Sequence, residues 1–140
     1  MDESSRPATA ARADTQFNKI DKDTAKPSDM NRLVEMIFKG EIVDRAASDE
    51  IIGILKECQT GTARIPGLLP KDTDVAHKSG TISGSVNDTG IVFLPYEAGH
   101  LAITVFMRNT KGTTAARERV IADITRYAYD YFVSRYGATP

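Results

Sequence analysis

The chain has 140 residues, a length that suits one domain and lets a compact fold bury about two-thirds of its extended surface. Its 18 basic side chains nearly balance 19 acidic ones, so a net charge of -1 supplies no bulk field for nucleic acid or an anionic membrane. Hydrophobic residues make up 41% and charged residues 26% of the chain, ordinary globular usage that argues against wholesale disorder.

No apolar run approaches the roughly 18 to 20 residues needed to cross a bilayer, and Met1 to Asp14 contains no apolar core of a secretory signal. Nothing in these residues directs export. Cys58 stands alone, which excludes an internal disulfide and a cysteine-based zinc site, and its apolar neighbours predict a buried thiol.

Residues 1 to 26 carry only Phe17 and Ile20 as bulky apolar anchors and read as an irregular N-terminal arm, ahead of one domain over 27 to 140. Pro27 suits a first helical turn, and Met30, Leu33, Val34, Ile37 and Phe38 form a buried stripe that Gly40 ends. Asp44 is placed to cap a second helix, with Ala47, Ile51, Ile54, Leu55 and Cys58 sharing a face until Gly61. The two helices are expected to form a hairpin.

From Ile65 to Pro70 two prolines bracket a glycine, so the chain turns there without a regular helix. Three strands are predicted at Asp74–Thr81, Gly90–Pro95 and Leu101–Met107, joined by Gly-, Ser-, Asn- and Asp-rich links that suit antiparallel hairpins. From Thr114 to Tyr136, Val120, Ile124, Tyr127 and Tyr131 with Ile121, Ala128 and Phe132 make a broad apolar helical face, closed by Gly137. The predicted fold class is therefore α+β: a helical hairpin, a three-stranded antiparallel meander and a long C-terminal helix packed on it. Leu101–Met107 is too apolar for a comfortable exposed sheet edge, a first sign of a covering partner or of self-association through that edge.

His77-Lys78-Ser79-Gly80-Thr81 lies near the end of the first strand, and it can hold an anion. Lys78 supplies positive potential, the Ser79 hydroxyl can donate to a carboxylate, and Gly80 lets an acyl group lie against the backbone. Alone, a Lys-Ser-Gly tripeptide says little.

The ordered set Asp23-Thr24-Ala25-Lys26-Pro27-Ser28-Asp29-Met30, the helix pair, Gly67-Leu68-Leu69-Pro70, His77 to Thr81 and Gly90-Ile91-Val92-Phe93-Leu94 resembles the C-terminal half of class A β-lactamases. These belong to the penicillin-recognising serine hydrolases, which carry a Lys-Thr/Ser-Gly triad on a strand followed by a hairpin, a third strand and a C-terminal helix. The resemblance covers roughly residues 23 to 136. It implies that Lys78 and Ser79 bind the substrate carboxylate, that Gly80 permits close approach, and that the Thr81 backbone N–H is one oxyanion-hole donor.

The family's nucleophile is a serine three residues before a lysine, and no Ser-x-x-Lys occurs in this chain. The family's Ser-x-Asn element should precede the Lys-Ser-Gly strand, whereas Ser85-Val86-Asn87 follows it and reads as coincidence. Glu3 is the only glutamate upstream of Pro27 and lacks the family's spacing for a deacylating glutamate. The expectation is of a C-terminal portion, with Met1 as an internal start, whose nucleophile and remaining strands lie elsewhere and whose intact relatives are periplasmic or secreted.

The remaining candidates read as structural. His77 and His100 lie on different elements and show no ligand spacing, and Asp72 and Asp74 are expected to be solvated beside a Pro-Lys turn. Asn87-Asp88-Thr89 fits a glycosylation acceptor but is expected to form a hairpin turn, and Tyr127, Tyr129, Tyr131 and Tyr136 read as helix-face residues. The implied substrate is a β-lactam or, for a carboxypeptidase or transpeptidase relative, a D-alanyl peptide, with no metal, cofactor, nucleic acid or membrane segment. The isolated chain is expected to be inactive; a non-catalytic binding module that keeps the fold is the alternative from another class.

Overall fold

A computed structural model describes residues 24–82, 84–108 and 112–137. Nearly all of the predicted N-terminal arm, residues 1–23, lies outside the described residues. The elements run α1 (Pro27–Lys39), α2 (Arg45–Lys56), a short 3₁₀ turn (Ile65–Leu68), β1 (Val75–Ile82), β2 (Ser85–Phe93), β3 (His100–Met107) and α3 (Thr114–Tyr136). The strands form one antiparallel sheet in the order β1-β2-β3, so the α+β meander is observed.

The caps follow from the sequence. Pro27 opens α1, and Gly40 ends it at φ 76°, where its lack of a Cβ avoids the left-handed penalty. The Asp44 carboxylate accepts from the Ala47 N–H at 2.8 Å, and Thr113 caps α3 by accepting from Ala116 N–H at 3.2 Å. The α2 helix ends at Lys56, earlier than predicted: its last turn tightens, with Cys58 N–H donating to the Leu55 carbonyl, and the chain then leaves toward β1.

The sheet has two covered faces. On one, α1 and α2 pack Val34 and Ile52 against Ala76 and Ile91, confirming the helical pair. On the other, α3 and the 3₁₀ turn bring Ile121, Tyr129 and Ile65 onto Val86, Val92, Leu101 and Ile103. Two helical faces are rotated from expectation. In α2 the buried residues are Ser48 and Ile52 while Ile54 is exposed; in α3 they include Ala122, Thr125 and Tyr129, while Val120, Ile124, Tyr127 and Tyr131 are exposed. A single three-stranded sheet presents α3 with too narrow an apolar surface to cover both predicted stripes. Thr125 enters the core because its hydroxyl donates to the Ile121 carbonyl at 2.9 Å, so that hydroxyl is satisfied there.

The second strand begins at Ser85, not Gly90, so Asn87-Asp88-Thr89 is strand and not turn. At the β1–β2 hairpin Ile82 pairs with Ser85, and Gly84 stands at φ 76°. Gly90 sits opposite His77, where a Cβ would lie 2.4 Å from the Ala76 carbonyl oxygen and 2.7 Å from the His77 Cβ. Gly90 therefore makes the room that the His77 side chain occupies. No helix among the described residues is long and apolar enough to cross a membrane.

Candidate functional site

Strand β1 borders the sheet, and its pairing decides which groups it offers outward. The Phe93 N–H donates to the Asp74 carbonyl at 3.0 Å, so even-numbered β1 residues direct their backbone groups at β2. Odd-numbered residues, including Ser79 and Thr81, direct theirs to the open edge. Side chains alternate independently, with Ala76, Lys78 and Gly80 on the α1–α2 side of the sheet and Val75, His77, Ser79 and Thr81 on the α3 side.

The α3-side residues are tied down. His77 is 3% exposed, and its Nδ1 lies 3.0 Å from both Asp88 carboxylate oxygens. Asp88, 1% exposed, also accepts the backbone N–H groups of Ile65 and Thr89, each at 3.1 Å. The sequence showed no carboxylate partner for His77; β2 supplies one. Ser79 is buried, its hydroxyl 2.7 Å from that of Thr60, and Gly61, at φ 68°, passes so close that a Cβ there would lie 2.6 Å from the Ser79 Cβ.

Arg64, 4% exposed, ties the hairpin end to the rest of the molecule. Its Nη1 donates to the carbonyls of Gly80 at 3.0 Å and Asn87 at 2.8 Å, its Nε to Glu118 Oε1 at 3.1 Å, and its Nη2 to the Thr81 hydroxyl. Four of its five N–H bonds' worth of directionality is thus spent on fixing β1 and β2 to α3.

The remaining edge groups are open. Lys78 is exposed and turns its ammonium over the Ser79 carbonyl at 2.6 Å. Beside Gly80 no heavy atom lies within 4 Å of where a Cβ would stand. The four predicted residues therefore do come together, but Ser79 is engaged from below while Lys78 and Gly80 face outward.

Cys58 follows α2 at the same edge. The predicted buried thiol is instead half-buried, with Sγ 3.5 Å from the Thr60 carbonyl and 3.7 Å from the Thr60 hydroxyl. Burial pushes this thiol up, but the hydrogen bonds with Thr60, the nearby His77 and the Ser79 backbone together hold it below its ordinary value. A cleft of about 280 Å³ is lined by Cys58 and His77 together with Lys56, Thr62, Pro66 and Asp74.

The other candidates separate. His100 lies against the rings of Phe38, at 4.1 Å, and Phe93, at 5.2 Å, and burial lowers its pKa. Asp74 pairs with Lys56 at 2.9 Å, and Asp72 is exposed. Tyr129 is core, whereas Tyr127, Tyr131 and Tyr136 are exposed. Among the described residues no three His, Cys, Asp or Glu side chains cluster to hold a metal ion.

Arg64 and Asp88 are the residues that sequence reasoning missed. A buried arginine in a loop has no periodic signal. Asp88 had one: Val86, Asp88, Gly90 and Val92 alternate as one strand face, but Asn-Asp-Thr looked like turn chemistry.

Comparison with known proteins agrees with the observed fold. The model of the "Beta-lactamase enzyme family" matches residues 4–132. β-Lactamase VEB-1 of Pseudomonas aeruginosa is 34% identical over 119 residues, 79% of this chain and 40% of the relative. Extended-spectrum β-lactamase PER-1 of the same organism is 34% identical over 88 residues, 59% of this chain and 28% of the relative. The crystal structure of a β-lactamase from Chitinophaga pinensis superposes with a TM-score of 0.72 at 40% identity, over 76% of this chain and 42% of that one. TLA-3 extended-spectrum β-lactamase gives a TM-score of 0.74 at 30% identity, over 85% and 47%. The chain thus spans less than half the length of these relatives, and the family match begins well before residue 23, where the sequence resemblance was drawn.

Proposed function

The chain belongs to the β-lactamase enzyme family, and from that membership we propose that the open edge of β1 is the substrate-carboxylate clamp of a class A-type serine β-lactamase. The observation that carries this reading is the open strip of β1: a lysine ammonium, a glycine with free space beside it, and odd-numbered backbone N–H groups pointing out. In this reading Lys78 attracts the carboxylate electrostatically, and the Ser79 hydroxyl, oriented by Thr60, donates to it. Gly80 admits the acyl group against the strand, and the Thr81 N–H is one donor to the oxygen that gains charge as the ring amide is attacked. Arg64 acts as a positioning residue, because its bonds to the Gly80 carbonyl and the Thr81 hydroxyl fix the strand end from which that N–H projects.

The nucleophile belongs to another segment, because the chain has no Ser-x-x-Lys. A preorganised donor and a carboxylate clamp stabilise charge but break no bond.

The test is complementation. The chain, combined with the nucleophile-bearing N-terminal portion of a relative, should hydrolyse a chromogenic cephalosporin, and Lys78→Ala should reduce kcat/KM at least about tenfold through loss of a charge-assisted contact. Full activity in the Lys78→Ala complex would rule out the clamp.

A further inference from the structure

Arg64 brings a buried positive charge beneath the end of β1, and α3 supplies a charge that offsets it. The guanidinium lies against Gly80 and Thr81, donating from Nη1 to the Gly80 carbonyl at 3.0 Å and from Nη2 to the Thr81 hydroxyl. Its Nε donates to Glu118 Oε1 at 3.1 Å, in an ion pair whose arginine side chain is 5% exposed and whose glutamate side chain is 21% exposed. Asp88, the buried carboxylate of β2, is engaged elsewhere, by the His77 ring and by the Ile65 and Thr89 amides. Glu118 is thus the carboxylate bonded to Arg64, and it reaches the hairpin end from α3.

We infer that Glu118 is a specificity-determining residue of the clamp, acting through Arg64 to weaken the hold of β1 on a carboxylate. This rests on the reading of β1 as a carboxylate clamp. Arg64 then has two separable effects. Its N–H groups fix the strand end, while its charge adds to the positive potential of Lys78 unless Glu118 cancels it. The cancellation needs no contact between Glu118 and the ligand, because Coulomb terms reach past the first layer of atoms. An added unit charge roughly 8 Å from an anion, at an effective dielectric constant of about 40, changes affinity about fivefold.

Neutral and charged replacements at one position separate charge from packing. Glu118→Gln removes the charge but keeps an amide oxygen able to accept from Arg64 Nε, whereas Glu118→Asp keeps the charge on a shorter side chain. Glu118→Ala is a second neutral variant, in which water can take the Nε–H because the site reaches solvent.

The experiment titrates the full chain with benzylpenicillin and with its uncharged methyl ester, following the Ser79, Gly80 and Thr81 amides by NMR at low ionic strength. Glu118→Gln should bind the acid about fivefold more tightly and the ester unchanged, and the gain should shrink in about 0.5 M salt. Glu118→Ala should show the same gain, and Glu118→Asp should bind both ligands as the parent chain does. A loosened fold weakens both ligands and so cannot imitate a gain for one. Equal tightening of acid and ester, or no tightening of the acid in either neutral variant, would overturn the inference. Lys78→Ala reads the clamp separately: unaffected acid binding there would overturn the clamp reading, whereas weakened binding there without tightening in Glu118→Gln would overturn the role of Glu118 alone. Acid binding absent from every variant would overturn both.

Discussion

The two sides of strand β1 differ in what they ask of the same five-residue run. On the α3 side His77 and Ser79 are buried and bonded to Asp88 and Thr60, whereas Lys78 and Gly80 on the other side are exposed and touch little beyond their own strand. The bonds on the held side fix the strand and keep the open side straight. Period-2 alternation thus lets one strand carry a polar core and an open polar edge at successive residues.

The contrast is broken most severely at Asp88. Replacing it with alanine strands three donors, the His77 ring and the Ile65 and Thr89 amides, and removing one partner of a buried pair costs about 3–5 kcal/mol. Urea unfolding should show that loss; a change below about 1 kcal/mol would mean that this side does not anchor the strand.

The sides separate more finely by comparing neighbours. Ser79→Ala should lower stability by about 1 kcal/mol, because Thr60 loses its hydroxyl partner, while Lys78→Ala should stay within about 0.5 kcal/mol. Equal effects in paired denaturation curves would erase the distinction.

The smallest effect is expected away from β1, at His100. Burial against Phe38 and Phe93 lowers its pKa in the folded chain, so between about pH 6.5 and that lower value the unfolded chain binds more protons. Stability is therefore complete above this window and falls as the pH drops through it. The decrease in Tm between pH 7.5 and 5 should be slightly smaller in His100→Phe; an unchanged decrease would remove His100 as a contributor.

Local rules made much of this legible. Pro27, Gly40 and Asp44 mark helix ends through φ preferences and capping, and the Lys78-Ser79-Gly80 run stands out by its chemistry. What stayed hidden depends on tertiary partners. Whether the Val120–Tyr131 stripe of α3 or its neighbour Ile121 enters the core is settled by the sheet area available, and both stripes are apolar. Asp88 reads as a turn former until His77, eleven residues earlier, stands beside it, and Arg64 acquires its role only when β1, β2 and α3 converge on its guanidinium.

Whether β1 is a substrate clamp in a chain without its own nucleophile, as proposed, is decided by an intact-mass spectrum of the purified chain after incubation with a penicillin. The account predicts no adduct on any serine, because none of them stands three residues before a lysine. A stoichiometric acyl adduct, mapped by peptide analysis to a serine of this chain, would contradict it.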